Sequence, residues 1–145
     1  MSYDIDLKDP VTGQVLELDT PNRMRGGVWY TVGGTAPASL NITYNYAKHY
    51  KRVFDPLPMP RPTAPEWMLE WAEVNERCDV GVRGIRTIYG LTGAESLPLL
   101  DKAIAALGDD VDPDYWAATE GNAKRALLQL RALAIMRPDG VWSGD

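Results

Sequence analysis

Cations, tyrosines and amides gather in one window of the chain, residues 20–54, that contains no acid. The window carries five basic residues, although the whole chain has a net charge of -5. Arginine binds phosphate through paired hydrogen bonds, aromatic rings stack on bases or cations, and an amide matches the donor and acceptor pair of adenine. These are the groups of a site for a small anionic, nucleotide-like ligand. The candidate ligand-binding residues are Arg25, Tyr30, Asn41, Tyr44, Asn45, Lys48, His49, Arg52 and, from outside the window, Arg86.

The same charge pattern has a simpler interpretation. Runs of like charge are usually solvated surface, and the cations of this window could pair with acids from elsewhere in the fold. The glycine pairs Gly26-Gly27 and Gly33-Gly34 likewise fit either a turn or a backbone cradle for an anion. The sequence leaves both alternatives open.

Residues for catalysis or metal binding are scarce. The chain has one histidine, His49, and one cysteine, Cys78, which excludes an internal disulfide and a multi-cysteine zinc site. It contains no Gly-x-Ser-x-Gly elbow and no phosphate-binding P-loop. The aspartates of residues 109–114 lack the glycine and glutamate of an EF-hand, and we interpret them as a solvated segment before a helix. We therefore predict no cofactor and no metal, and a binding protein is favoured over an enzyme.

Length and composition predict one domain, residues 1–145, large enough for an ordinary core. No apolar run approaches the roughly 18 residues of a membrane span, and the start of the chain does not read as a signal peptide, so we expect a cytoplasmic protein. An acidic chain repels long nucleic acids, whose binding rewards many phosphate contacts. A homo-oligomer fits the size and the exposed insertion, although no sequence feature shows one.

Two alternating segments predict an N-terminal hairpin. The sequence YDIDLKD and the sequence QVLELD flank the turn residues DPVTG. A third strand is expected in GGVWYTVGGT, which is β-branched and aromatic. The strands would form a small antiparallel sheet.

About four helices are expected to cover one face of this sheet, which makes the fold α+β. The first spans LNITYNYAKHYKRVF, with Asn41 as its N-cap and with Asn45, Lys48 and Arg52 along one polar stripe. The long helices 94–107 and 122–136 would form the main packing layer, the first starting at a capping box of Thr92 and Glu95. Further short helices are expected after Pro65 and after Asp112.

Residues 55–77 are predicted to be a proline-rich insertion with a short acidic helix. Five prolines within residues 55–65 exclude a helix or a central strand there. Trp67 and Trp71 follow at helical spacing, and they would either contact the main body or form a partner surface.

Several segments together resemble a family of small phage and prophage proteins that has no assigned activity. The segments are MRGG, LNITYNY, GLTGAESLPLLDKAI, YWAATEGNAKRAL and RPDGVWSGD. The resemblance covers most of the chain except the proline-rich insertion. It implies a phage or mobile-element setting inside a bacterial host, and it assigns no role to any residue.

The sequence thus supports two main hypotheses and a third. The first is a non-enzymatic protein that sequesters a small nucleotide-like signal of host defence. The second is an inhibitor or accessory factor that acts on a host protein through its acidic surface. The third is an enzyme that degrades such a ligand.

Overall fold

The computed structural model describes residues 1–18, 36–58, 60, 62–68 and 84–145. Within these residues, the strands are β1 (Ser2–Lys8), β2 (Glu17–Leu18), β3 (Ala36–Pro37), β4 (Ser39–Thr43) and β5 (Val141–Gly144). β1 is the centre of a three-stranded antiparallel sheet, with β4 on one side and β5 on the other. β2 and β3 form a second, two-stranded sheet. The central sheet therefore joins the two ends of the described chain.

The alternation of β1 gives the sheet one apolar face. Tyr3, Ile5 and Leu7 are buried, whereas Asp4 is exposed. The apolar partners on β4 lie opposite them, with Ile42 beside Tyr3 and Leu40 beside Ile5. This inner face packs against the helices, and the acids of β1 lie on the outer face, where they disfavour pairing with other sheets.

The predicted N-terminal hairpin is wrong, although its turn forms. The carboxylate of Asp9 accepts hydrogen bonds from the amides of Val11 and Thr12, and Gly13 has a φ of 73°. The chain therefore reverses where turn chemistry predicts it. Among the described residues, the segment that follows this turn forms a single β-bridge with β1, between Val15 and Lys8.

A distant segment takes the place of the second hairpin strand. The Leu7 amide donates to the Ala38 carbonyl at 2.9 Å, and β4 then pairs along β1. β2 pairs instead with β3. The expected third strand, residues 26–35, lies outside the described residues.

Three α-helices, not about four, occur in the described part of the chain: α1 (Ala47–Phe54), α2 (Gly93–Ala105) and α3 (Glu120–Met136). Short 3₁₀ turns are found at Tyr44–Tyr46, Glu66–Met68 and Gly84–Ile88. The helix expected after Asp112 is a turn, and most of the helix expected after Pro65 falls outside the described residues. The α+β class is confirmed.

The expected helix over residues 40–54 is only half helical. Its first residues form β4, because Leu40 and Ile42 alternate with polar neighbours and both bury their side chains in the sheet. Asn41 is therefore a strand residue and not an N-cap. The helix proper starts after a 3₁₀ turn that the Thr43 side chain caps.

The first turn of α2 packs against the end of α3 and against β5. α2 begins with the predicted capping box, in which Thr92 and Glu95 each accept a hydrogen bond from the other's amide. Gly93 lies so close to the end of α3 that a Cβ would be 2.7 Å from the Arg137 carbonyl oxygen. Trp142 of β5 is buried, and its indole donates to Ser96 Oγ at 2.7 Å.

Candidate functional site

Three of the predicted ligand-binding residues bind the chain itself. Asn45, in the 3₁₀ turn before α1, and His49 and Arg52, on α1, form one row that faces the segment leading into α3. The Asn45 amide donates to the Trp116 carbonyl at 2.9 Å, and His49 Nε2 lies 2.8 Å from the Ala118 carbonyl oxygen. Because a carbonyl oxygen can only accept, Nε2 carries the hydrogen. Arg52 completes the row with an ion pair to Glu120.

Asn41 and Lys48 do not join this row. Asn41 lies on the outer face of the sheet, where its amide donates to Ser2 Oγ and to the carboxylate of Asp4. Lys48 is exposed and has no ion pair within the described part of the chain. Arg25 and Tyr30 lie outside the described residues.

Tyr44 and Arg86 do lie together. The guanidinium carbon of Arg86 is 5.0 Å from the ring centre of Tyr3 and 5.9 Å from that of Tyr44. Arg86 Nη2 is 3.5 Å from the Tyr44 hydroxyl, and Nε donates to the main-chain oxygen of Asp145 at 2.8 Å. Arg86 therefore contacts β1 and the residue that follows β5, whereas Arg52 binds the start of α3.

A second feature is the segment between α2 and α3, residues 109–119, which we name the acidic loop. It contains four aspartates: Asp109, Asp110, Asp112 and Asp114. Asn122, buried on the first turn of α3, fixes its conformation. The Asn122 side chain accepts from the Asp112 amide at 3.1 Å and donates to the carbonyls of Asp114 and Ala117 at 2.9 and 3.1 Å. Asn45 and His49 bind the same loop at the Trp116 and Ala118 carbonyls.

A glycine allows the loop to cross the start of α3. A Cβ on Gly121 would lie 2.5 to 2.8 Å from main-chain atoms of Asp110 and Val111, closer than real Cβ atoms approach. The Gly121 amide also donates to the Asp110 carboxylate at 3.1 Å. The helix and the loop backbone are therefore in direct contact, which no other residue type would allow.

Tyr115 anchors the loop to the sheet. Its hydroxyl accepts from the Thr43 amide at 3.0 Å, and its ring lies edge-on to Tyr46, with 5.8 Å between ring centres. The Tyr46 hydroxyl donates to the Tyr115 carbonyl. Burial raises the pKa of Tyr46 to about 12, and burial also raises the pKa of Tyr115, so both phenols are neutral donors at neutral pH.

The loop presents apolar side chains although its backbone is fixed. Trp116 is 59% exposed and Val111 is 50% exposed. The backbone of Trp116 is nevertheless bonded on both sides, since its amide donates to the Asp114 carboxylate at 3.0 Å and its carbonyl accepts from Asn45. One side of the Trp116 ring packs edge-on against Tyr115, with 5.1 Å between ring centres, and more than half of the residue remains open to solvent.

The acidic loop lies outside the ligand-binding residues predicted from the sequence. Its aspartates were interpreted as a solvated segment, and a short helix was expected after Asp112. The sequence signal that could have indicated an interface is the pair Tyr115-Trp116 directly after four aspartates. Large aromatic side chains are enriched at protein interfaces.

Two further features concern the described residues only. No group of three or more histidine, cysteine, aspartate or glutamate residues is arranged there to hold a metal ion. Nor does any helix in that part of the chain have the length and apolarity needed to cross a membrane.

Comparisons of the chain with protein-family models, with curated proteins and with solved structures found no match.

Proposed function

We propose that this is a non-enzymatic binding protein that recognises a protein partner through the acidic loop. The observation that carries the proposal is the presentation of Trp116: the residue is 59% exposed, although its main chain is hydrogen-bonded on both sides and its ring packs edge-on against Tyr115. Protein interfaces concentrate their binding energy in a few such aromatic residues, and truncation of one typically costs about 2 kcal/mol or more.

The charge around Trp116 defines the partner's chemistry. Asp109, Asp110 and Asp114 are exposed, and only Asp109 has an ion pair, with Lys124 at 2.8 Å, within the described part of the chain. A partner with a basic rim around an apolar pocket would complement them. Each exposed ion pair contributes only about 0.2 to 1 kcal/mol, so the charges would set orientation and association rate more than affinity.

The resemblance to phage and prophage proteins supplies the setting. A small acidic protein of that kind would act on a protein of the bacterial host, as an inhibitor or accessory factor in counter-defence. The host protein would be one that binds acidic ligands, since the acidic loop presents several carboxylates around one aromatic anchor.

The test compares two equally exposed tryptophans. Immobilised wild-type protein, Trp116→Ala and Trp67→Ala would be incubated with a host lysate, and the retained protein would then be purified and its affinity measured by calorimetry. Trp67 is the matched control, since it is 58% exposed and lies outside the loop. We expect wild type and Trp67→Ala to retain the same partner, and Trp116→Ala to weaken its binding about thirtyfold or more.

Salt provides a second readout. Binding should weaken as salt is raised, because the charged contacts are exposed and screened. Retention of the partner at full affinity by Trp116→Ala would refute the role of the loop.

A second candidate is a site for a small anionic, nucleotide-like ligand, as the basic window suggests. The observation that favours it is the pairing of two predicted site residues, Tyr44 and Arg86, whose hydroxyl and guanidinium are 3.5 Å apart. Lys48 is a further exposed cation of the window. Against it, Arg52 and the amides of Asn41 and Asn45 are bonded within the fold.

Thermal shift and calorimetry against cyclic dinucleotides, ADP-ribose and dinucleotide cofactors would test this candidate. A ligand of the site should bind wild type and Trp116→Ala equally, and bind Arg86→Lys more weakly, because lysine lacks the planar fork and the ring stacking of arginine. Mass spectrometry of the incubated ligand would reveal any turnover. The absence of a shift with every phosphate-bearing compound would eliminate the candidate.

A further inference from the structure

Two tyrosine rings hold the guanidinium of Arg86 in one orientation. Its carbon lies 5.0 Å from the ring centre of Tyr3 and 5.9 Å from that of Tyr44. Tyr3 is buried, and Arg86 is itself half-buried in the 3₁₀ turn Gly84–Ile88. A guanidinium that stacks on rings keeps its N–H groups in one plane, and that plane matches the oxygens of a carboxylate or a phosphate.

Asp145, the residue that follows β5, lies against this guanidinium. Arg86 Nε donates to the Asp145 main-chain oxygen at 2.8 Å, and the Asp4 amide donates to the Asp145 carboxylate at 3.0 Å. The Tyr89 hydroxyl is 3.5 Å from the same main-chain oxygen. A guanidinium, a main-chain amide and a phenol therefore converge on one acidic residue.

Gly144 brings Asp145 to this position. A Cβ on Gly144 would lie 2.5 Å from the Tyr89 hydroxyl and 2.7 Å from the Asp4 carbonyl oxygen, closer than real Cβ atoms approach. The pairing of β5 with β1 extends as far as Gly144, opposite Ile5, and Asp145 itself is exposed. Asp145 can therefore leave the guanidinium without the loss of any residue pair in this ladder.

The charges of Arg86 and Asp145 act on the same buried ring. Burial raises the pKa of Tyr3, the Arg86 cation lowers this pKa, and the Asp145 anion raises it. Asp145 thus offsets part of the positive field of Arg86 at this ring. Because like charges repel, an anionic ligand and the Asp145 carboxylate would compete for the position and not share it.

We propose that Asp145 is an internal competitor at this position: it occupies the Arg86 guanidinium and the Asp4 amide, which the phosphate group of a small ligand binds when Asp145 moves away. A guanidinium and a main-chain amide are common donors to phosphate in proteins. The inference rests on the second candidate function, the anionic-ligand site of Tyr44 and Arg86, and it is independent of the acidic loop.

Competition by Asp145 weakens the apparent affinity for the ligand. The apparent dissociation constant equals the intrinsic constant divided by the fraction of molecules whose site is open. One net hydrogen bond corresponds to a factor of about five in an equilibrium constant. Removal of one bond that holds Asp145 should therefore tighten ligand binding by about this factor.

Titration of the protein with inorganic pyrophosphate, followed by calorimetry, tests the competition. Asp145→Gly removes the carboxylate that the Asp4 amide binds, and this variant should bind pyrophosphate about fivefold more tightly than the wild type. Glu17→Gln is the matched control: Glu17 is exposed on β2, the net charge changes equally, and the affinity should stay that of the wild type. Arg86→Lys in the Asp145→Gly chain should abolish the gain.

Nuclear magnetic resonance identifies the atoms involved. Pyrophosphate should shift the Arg86 Nε–H and Asp4 amide signals of the wild type together, because both exchange Asp145 for the ligand. Equal affinity of the wild type and Asp145→Gly would overturn the internal competition but leave the ligand site standing. Binding by neither protein would overturn both. A gain that Glu17→Gln reproduces, or that survives Arg86→Lys, would also overturn the proposal, because net charge or another site would then explain it.

Discussion

The hydroxyl of Tyr115 lies at the free edge of β4, where it accepts a hydrogen bond from the Thr43 amide at 3.0 Å. It also donates to the Asn41 carbonyl, at 3.4 Å. One phenol thus satisfies two main-chain groups that a neighbouring strand would otherwise bind. Unpaired edges invite pairing with other chains, so the acidic loop protects the sheet on this side.

Substitution of Tyr115 by phenylalanine should lower stability. The change removes one oxygen and leaves the Thr43 amide without its partner, which typically costs about 1 to 3 kcal/mol. Chemical denaturation followed by circular dichroism would measure the free energy of unfolding. Tyr44→Phe is the control, because the contact of its hydroxyl with Arg86 is long, and it should cost less than about 0.5 kcal/mol. Equal losses for the two variants would contradict the role of Tyr115.

Alanine at Gly121 should destabilise the protein, against the usual preference of helices. Glycine to alanine in a helix normally stabilises by about 0.5 to 1 kcal/mol. Here a Cβ would lie within 2.8 Å of the Asp110 and Val111 backbone, and overpacking of that kind costs about 1 to 3 kcal/mol.

Gly108→Ala is the matched control, because the nearest atom to its Cβ is 3.6 Å away. It should change the free energy of unfolding by less than about 0.5 kcal/mol. Thermal and urea unfolding of both variants would decide the matter. A Gly121→Ala variant as stable as wild type would show that the loop does not contact α3 in this way.

Ser96→Ala should cost more than the loss of one surface hydroxyl. Ser96 Oγ accepts from the buried Trp142 indole at 2.7 Å and donates to the Gly93 carbonyl at 2.8 Å. Without it the indole N–H has no partner in the core, a loss of about 1 to 3 kcal/mol. A double-mutant cycle with Trp142→Phe, measured by urea unfolding, should show coupling, since phenylalanine has no N–H to satisfy. Strict additivity would contradict the link.

Alkaline pH should unfold the protein through its buried tyrosines. Burial raises the pKa of Tyr46 to about 12, and raises the pKa values of Tyr50 and Tyr89. In the unfolded chain these phenols lose their protons near pH 10. Above that pH the unfolded state binds fewer protons than the folded state, so the free energy of unfolding falls as pH rises.

The urea midpoint should therefore stay constant to about pH 9 and fall between about pH 10 and 12. Tyrosinate absorbance would give the ionisation in parallel. Tyr46→Phe should show a shallower decrease, because one titrating group is gone. A midpoint unchanged at pH 11 would contradict the burial of these phenols.

Local signals in the sequence predicted the elements better than their partners. The capping box of Thr92 and Glu95 and the two long helices were predicted correctly, because each depends on residues close in sequence. The predicted hairpin was wrong because β1 pairs along its length with β4, and local sequence patterns do not show a pairing between segments more than 30 residues apart. The helix over residues 40–54 was half wrong because Leu40 and Ile42 fit a strand as well as a helix.

The candidate site shows the same division. Helical spacing placed Asn45, Lys48 and Arg52 on one polar stripe, and in the structure Asn45 and Arg52 bind the same distant segment. It could not show that this stripe binds a segment about 70 residues away, where carbonyls and Glu120 take the place of the expected ligand. Polar residues that suit a nucleotide suit a protein main chain equally well, because both offer hydrogen-bonding groups at regular spacing.

The fixed main chain around Trp116 has a consequence for association kinetics and affinity. Ordering a flexible loop during complex formation costs conformational entropy for every residue that becomes fixed. In this protein that entropy is already lost during folding, through Asn122, Gly121 and the row that begins at Asn45. A partner would bind a loop whose conformation is already ordered. The binding enthalpy would therefore report the contacts across the interface and not a rearrangement of the loop.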